Sequence, residues 1–287
     1  MRKLLIKALL LGLIVSCTTE ALDDTVLGED NVVSKEDFDR YNTVNSAMGG
    51  FDKISEQVAL NVQKTSKNST SGCLSIELLI SYQENPIPGF SKYDYYNKVV
   101  IDANKEQCEF NDWDGELEYY VAGALVSKWK DSTAFKKVQY DEGYVFDGYR
   151  VAEKNIELSN ETIKVYDVFI DGVITNPSGD SYHYTTARNF IFENRFTSDE
   201  VVMLTESSSL EGIDQSFFIR SVSVADSPLV FKVACFDRST FFEYPVEGLQ
   251  EFSNSLGDDF TVDYGDGTCD KEIILTTPEG ESITFDL

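Results

Sequence analysis

The 287-residue chain is strongly acidic, with 24 lysines and arginines against 50 aspartates and glutamates and a formal net charge of −26 at pH 7. Such a charge repels nucleic acid and anionic lipid surfaces, so we expect no DNA or RNA partner. Hydrophobic residues make up 42% of the chain and aromatic residues 13%. This content suffices for a sizeable core and favours strands.

The first residues have the pattern of a secretory signal peptide. Basic residues at positions 2 and 3 precede a mostly apolar run over 4–15, and Ser16 stands directly before Cys17. The run is too short to span a bilayer, for which a helix needs about 20 residues. With cysteine at the cleavage point, the segment resembles the lipobox of bacterial lipoproteins. The resemblance implies that residues 1–16 are removed and that Cys17 carries lipid that anchors the chain to a membrane. The alternative is an ordinary signal peptide with an incidental cysteine.

Residues 17–33 are acidic and short of aromatic side chains, which predicts a flexible tether. Three of its acids, Glu20, Asp23 and Asp24, follow Cys17 closely. In lipoproteins of the Bacteroidota, a cluster at this place resembles a signal for export to the cell surface, although a plain acidic linker explains it equally well. We therefore expect a lipid-anchored protein of the cell envelope, at the outer membrane or on the surface.

Residues 34–72 predict a helical segment followed by a linker. Ser34 is suited to cap the helix, and Gly49-Gly50 should break it. Beyond the glycines, apolar residues at 54, 58 and 62 share one helical face.

From residue 73 to residue 287 the pattern changes to period-two alternation between turns, which predicts a β domain. Asp171-Gly172 is a strong hairpin signal, and Pro278-Glu279-Gly280 predicts a turn between the last two strands. Short connections favour antiparallel pairing. We expect an all-β fold, an antiparallel meander forming a curved half-barrel or a sandwich, preceded by a short helical segment. The predicted strands are 97–103, 117–125, 134–141, 144–151, 162–170, 181–193, 199–205, 215–224, 229–236, 239–245, 259–264, 270–276 and 281–286.

Four cysteines remain after Cys17, and in an exported chain they permit two disulfides in three connectivities. They are Cys73, Cys108, Cys235 and Cys269. The chain has no CxxC motif and one histidine, His183, so a zinc site of Cys/His type is not expected. Asp102 and Cys108 have the same spacing as Asp263 and Cys269. This repeat is either the remnant of a duplication or a chance match. If duplication is the cause, Cys108 should approach Cys269.

The C-terminal segment 263–270, DYGDGTCD, precedes an apolar strand, a glycine turn and a last short strand at 283–287. This arrangement resembles an uncharacterised family of lipoproteins of the Bacteroidota. Members of that family open their β body with a related segment, matched here by Asp102, Cys108 and Asp114-Gly115. The resemblance implies the envelope compartment and a β-rich fold. It does not bring with it any enzymatic activity or any known ligand.

Three aspartates of this segment, Asp263, Asp266 and Asp270, are weak candidates for a cation site. Calcium prefers several carboxylate oxygens on a flexible loop, but the spacing is not that of an EF-hand. Glycine and aspartate are also common turn residues, so we favour a structural turn and expect no metal and no cofactor.

Other chemistry-bearing side chains also have two interpretations each. Trp113, in the acidic segment 112–116, either stacks on a sugar or fills the core, and we favour the core. His183 is either a general base or a sheet-surface histidine, and we favour the surface because no Gly-x-Ser-x-Gly motif accompanies it. An aromatic set forms either core or a ligand groove, and we favour core: Tyr140, Tyr144, Phe146, Tyr149, Phe190, Phe192 and Phe196.

These observations predict a lipid-anchored envelope protein without enzymatic activity, which presents a β domain for binding or structure. Two alternatives remain: an envelope enzyme acting on glycans or lipids, and a lipid carrier with a concave sheet. Clustered carboxylates in a deep pocket would favour the enzyme. A continuous apolar trough would favour the lipid carrier.

Overall fold

One helix and one antiparallel sheet account for the part of the chain that can be described. The structure, a computed structural model, describes residues 29–64, 74–79, 87–89, 96–103, 113–122, 129–140, 143–236 and 244–287. The leader, Cys17 and most of the predicted tether lie outside these residues, as do Cys73 and Cys108. No helix among the described residues is long and apolar enough to cross a membrane.

The predicted antiparallel meander is confirmed. The strands follow chain order along the sheet, except that β9 lies beside β8 and β11 off the main path. All of them belong to one hydrogen-bonded sheet, which favours the curved form of the prediction over two stacked sheets. The elements are α1 (Glu29–Lys64), β1 (Leu74–Leu79), β2 (Tyr96–Ala103), β3 (Trp113–Ala122), β4 (Lys130–Tyr140), β5 (Tyr144–Lys154), β6 (Ile163–Thr175), β7 (Ser181–Glu193), β8 (Val201–Gly212), β9 (Phe218–Ser223), β10 (Leu229–Lys232), a short 3₁₀ turn (Val233–Cys235), β11 (Glu247–Asn254), β12 (Asp259–Asp266), β13 (Glu272–Thr276) and β14 (Ser282–Asp286).

Helix α1 lies in the concave side of the sheet, which curls around it. Phe38 packs edge-on against Phe285 of β14 at 5.8 Å, and Phe51 against Phe135 of β4 at 5.7 Å. Nine strand spacings separate β4 from β14, which is about 43 Å along the sheet. The two helix residues are only about 20 Å apart. A flat sheet could not touch both, so the strands must wrap the helix.

The helix precedes the sheet in the chain, as predicted, and it also forms part of the core. One cluster of buried side chains joins residues of α1, such as Tyr41, Met48 and Val58, to inward-facing residues of almost every strand. The predicted apolar face is confirmed at Ile54 and Val58, which are buried. The side chain at position 62 is not among those that the structure describes.

Two predictions about the helix were wrong. It begins at Glu29, so residues 29–33 are helical and not the end of the predicted tether, and Ser34 is no cap and instead lies buried within the helix. It also continues through Gly49-Gly50 without a break. At Gly50 a β-carbon would come within 2.2 Å of the Tyr140 ring, so this glycine permits close packing of the helix on β4.

The hairpin predicted at Asp171-Gly172 was also wrong, because both residues lie within β6. Gly172 pairs with Gly148 of β5, and the Phe146 ring covers both where β-carbons would stand. The turn lies at Asn176–Asp180 instead, where the Asn176 N–H donates to the Asp180 carbonyl at 2.9 Å.

The remaining differences concern strand positions. β1 and β11 were not predicted, and most of the strand predicted at 239–245 falls on residues 237–243, outside the description. The turn at Pro278-Glu279-Gly280 is confirmed, with the Gly280 N–H donating to the Thr277 carbonyl at 3.0 Å.

Candidate functional site: a buried charge network between helix and sheet

Two arginines point from the sheet into the core and share one carboxylate of the helix. Arg150 Nε donates to Asp52 Oδ1 at 2.5 Å, and Arg188 Nη1 donates to Asp52 Oδ2 at 2.8 Å. Arg150 and Arg188 are 5% and 7% exposed, because strand alternation directs both inward from β5 and β7. Asp52 thereby fixes α1 to two strands at once.

Two further carboxylates, both buried, extend this chain of charges. Asp131 of β4 accepts from Arg150 Nη1 at 3.1 Å, and Glu206 of β8 accepts from Arg188 Nε at 3.1 Å. The order is Asp131, Arg150, Asp52, Arg188, Glu206, which we call the charge network. It holds two cationic groups and three carboxyl groups, so full ionisation would leave one negative charge in the core.

Hydroxyl and amide groups satisfy the Glu206 end of the charge network. Glu206 Oε1 accepts from the Tyr41 hydroxyl at 3.0 Å and from Gln250 Nε2 at 2.7 Å. The Tyr264 hydroxyl in turn donates to Gln250 Oε1 at 2.7 Å. Buried polar networks of this kind are stable when their members are paired.

Asn45 adds a second contact between the helix and β7. Its Oδ1 accepts from Arg188 Nη2 at 2.5 Å and from the Tyr184 hydroxyl at 2.6 Å. The Tyr184 hydroxyl also accepts from Arg188 Nη2 at 2.9 Å. The guanidinium of Arg188 therefore bonds α1 at two positions about two turns apart.

Burial changes the proton affinity of the charge network most at Asp131. Removal from water raises the pKa of Asp131 to about 7, although the Arg150 guanidinium opposes this change. Burial also disfavours the charge of Arg150, but Asp52 and Asp131 outweigh it and raise its pKa above the usual value. Burial raises the pKa of Tyr184 to about 12, so its hydroxyl stays protonated. Near neutral pH the core can thus hold a proton on Asp131 that offsets the surplus negative charge.

The arrangement is suited to fixing one helix position and is poorly suited to catalysis. Each carboxylate of the charge network already accepts hydrogen bonds from arginine, and α1 covers the concave face on which they lie. Buried ion pairs contribute little net stability compared with apolar packing, but loss of one partner costs about 3–5 kcal/mol. The network therefore penalises any other placement of the helix.

The weak cation candidates lie at the end of β12 (Asp263 and Asp266) and in the turn that follows it (Asp270). Asp263 Oδ1 accepts from the Gly265 N–H at 2.9 Å, and Asp266 Oδ1 from the Thr268 N–H at 3.2 Å. Asp270 Oδ2 accepts from the Thr268 hydroxyl at 2.5 Å. Within the described ranges, no group of three or more histidine, cysteine, aspartate or glutamate residues is placed to hold a metal ion.

One disulfide lies beside this turn. It joins Cys235 to Cys269, with the Cα atoms 5.0 Å apart. Cys269 therefore does not pair with Cys108, which corrects the pairing suggested by the Asp–Cys repeat. Lys232 Nζ also donates to the Gly267 carbonyl at 2.6 Å, so two contacts tie the end of β10 to the turn.

The other singled-out residues lie apart from the charge network. Trp113 is fully buried, so it fills the core and does not stand at the tip of a turn. His183 faces outward on β7, with Nε2 at 2.7 Å from Asp171 Oδ1 and 45% of its side chain exposed. The aromatic set divides, since Phe146 and Phe192 are buried whereas Phe196 is 81% exposed.

Sequence reasoning missed the residues of the charge network. Its signal was present: Arg150 and Arg188 occupy positions that alternation assigns to the apolar face, in register with Phe146 and Tyr184. Nothing in the local sequence around Asp52 indicated that it would contact both arginines.

In comparisons with known proteins, no family model, no curated protein and no solved structure matches this chain.

Proposed function

We propose that this protein is a non-enzymatic lipoprotein of the cell envelope, held to a membrane by lipid on Cys17. Its β domain serves as a rigid module for binding or structure. The leader pattern at 1–16 supports the anchor, and the C-terminal DYGDGTCD segment, which resembles lipoproteins of the Bacteroidota, supports the compartment. The acidic residues behind Cys17 favour the outer membrane or the cell surface.

The observation that carries the non-enzymatic part of the proposal is the placement of α1. A curled sheet offers one concave face, and here Phe38, Met48 and Phe51 of the helix fill it. Three carboxylates on that face, Asp52, Asp131 and Glu206, are paired with arginine in the charge network. An active site on this face would need both the helix and its ion pairs removed.

A lipid carrier is disfavoured for the same reason. Opening the concave face would separate Asp52 from Arg150 and Arg188 and would leave two buried cations facing Asp131 and Glu206 alone. It would also expose apolar side chains from both the helix and the sheet.

Metabolic labelling with radioactive palmitate tests the anchor. We expect label in the wild-type protein and none in Cys17→Ser, which should also leave the membrane fraction. A labelled serine variant, or an unlabelled wild type, would contradict the anchor. The purified protein should not hydrolyse model glycosides or esters, and turnover lost on a single carboxylate substitution would contradict the non-enzymatic part.

A further inference from the structure

A polar and aromatic groove lies at the end of the sheet where β7 turns into β8. Its volume is about 380 Å³. One wall comes from the start of β6 and the residues before it, and the other from the β7–β8 turn. The Asn194 N–H donates to the Thr162 carbonyl at 3.1 Å and holds the two walls together. We call this feature the end groove; its lining residues are Glu161, Thr162, Lys164, Tyr166, Asn194, Arg195, Phe196 and Thr197.

Arg195 is held in the end groove by aromatic rings. Its guanidinium carbon lies 4.9 Å from the Tyr166 ring centre, 4.4 Å from that of Phe192 and 4.9 Å from that of Phe196. Across the part of the chain that the structure describes, Arg195 makes no hydrogen bond and no ion pair at contact distance, although its charge opposes the rise that burial causes in the pKa of Glu56 on α1. Ring contacts hold the planar group in place and leave its in-plane N–H donors for another partner. Such a fixed, unpaired fork matches a carboxylate.

Phe196 adds an exposed flat surface beside this cation at a conformational cost. Its φ is 71°, in the left-handed region that bulky residues avoid. The side chain is nevertheless 81% exposed, so burial does not compensate for the strain. The backbone is held by the Phe196 N–H, which donates to Glu200 Oε2 at 2.6 Å. Strained residues that persist at a surface often serve binding.

We propose that the end groove binds an acidic sugar, with the carboxylate of a hexuronate on Arg195 and a sugar ring face on Phe196. Stacking on an aromatic ring and pairing with a planar cation recognise the two features that distinguish such a sugar. Glu161 is an exposed carboxylate in the same groove, which suits a ligand with hydroxyl donors and disfavours a densely anionic one such as a phosphate ester. The volume falls within the range of small-ligand sites, which runs from about 300 to 1,000 Å³.

This inference gives a ligand class to the module proposed above, and it rests on that proposal only in expecting binding without turnover. The groove lies at one end of the concave face, where Tyr166 packs against the same core cluster as α1, and no residue of the charge network lines it. The charge network therefore need not open for the ligand to bind.

Calorimetric titration of the full chain in detergent micelles tests the proposal, with digalacturonate as the acidic probe and galactobiose as its neutral counterpart. We expect digalacturonate to bind at least tenfold more tightly than galactobiose. Arg195→Gln and Phe196→Gly should each weaken digalacturonate binding at least tenfold. Arg220→Gln is the matched control, because Arg220 also lies over one ring, Phe218 at 4.8 Å, but does not line the groove.

Equal affinity for the acidic and neutral disaccharides would overturn the proposal, as would an Arg195→Gln variant that melts like the wild type and binds unchanged. Equally tight binding of a Glu-Glu dipeptide would show recognition of a carboxylate without the sugar and would also overturn it. Chromatography of the recovered disaccharide separates the two proposals. Cleavage would contradict the non-enzymatic function, whereas absence of binding would contradict the end groove alone.

Discussion

Arg188 Nη1 lies 2.8 Å from Asp52 Oδ2, and this ion pair joins β7 to α1 across 136 residues of sequence. It is one of the two ion pairs by which arginines of the sheet hold Asp52 of the helix. The placement of α1 supports both the stability of the protein and the function proposed for it.

Asp52→Asn should destabilise the protein strongly. The amide keeps the shape of the carboxylate but not its charge, and it leaves Arg150 and Arg188 short of a negative partner in the core. We expect a loss of about 3–5 kcal/mol in the free energy of unfolding, measured by urea titration. Asp39→Asn removes the exposed pair of Asp39 with Lys35 from the same helix and should cost less than about 1 kcal/mol. Equal losses in the two variants would contradict the role of Asp52.

The stability should depend on pH through Asp131. The folded protein keeps a proton on Asp131 up to about pH 7, whereas the unfolded chain releases it near its ordinary value of 3.8. The contribution of this group is therefore full below about pH 4 and is lost as pH rises towards 7, by at most about 1.4 kcal/mol per unit. Asp131→Asn, which imitates the protonated form, should show a flatter profile between pH 4 and 7. Identical slopes in the wild type and the variant would rule out Asp131 as the source.

Adjacent glycines in the helix should respond oppositely to alanine. At Gly49 nothing lies within 4 Å of an added β-carbon, so Gly49→Ala should stabilise the protein by about 1 kcal/mol through helix propensity. At Gly50 the added carbon would overlap the Tyr140 ring, so Gly50→Ala should destabilise it by about 1–3 kcal/mol. Thermal unfolding of the two variants measures the difference. Equal stabilisation in both would show that the helix does not pack closely on β4.

Phe196→Gly should leave the stability unchanged or raise it by about 1 kcal/mol, because glycine adopts a positive φ without strain. Phe169→Gly offers the comparison, since Phe169 is also partly exposed but lies within β6, where glycine weakens a strand. Urea titration should show a loss of about 1 kcal/mol or more for the second variant only. A large loss for Phe196→Gly would mean that its ring stabilises the fold, and the argument from strain would fail.

The sequence predicted the sheet well where aromatic residues recur at alternate positions between clear turns. Residues 181–193 were predicted as a strand with the bounds that β7 has, because Tyr182, Tyr184, Phe190 and Phe192 recur there on one face. The glycine rules failed at Gly50 and Gly172, since both glycines serve close packing against an aromatic ring and not a turn. Such packing depends on Tyr140 and Phe146, which no local pattern connects to these glycines.

The charge network could not be predicted in the same way. Asp52 reads as an ordinary polar position of an amphipathic helix until β5 and β7 bring Arg150 and Arg188 to it. The end groove has a similar origin, because Arg195 and Tyr166 meet only through the pairing of β6 with β7. The local sequence pattern was enough to predict most of the strands. It could not predict which charged side chains meet, because that depends on pairing between strands that are distant in sequence.

Amide hydrogen exchange of the full chain in detergent micelles, read by mass spectrometry, tests most directly whether α1 is a fixed part of the core. We expect the helix amides between Phe38 and Val58 to exchange as slowly as those of β7, because the two elements should open together. Fast exchange in the helix with a protected sheet would mean that α1 leaves the concave face readily. That result would contradict the filled core on which the proposed function depends.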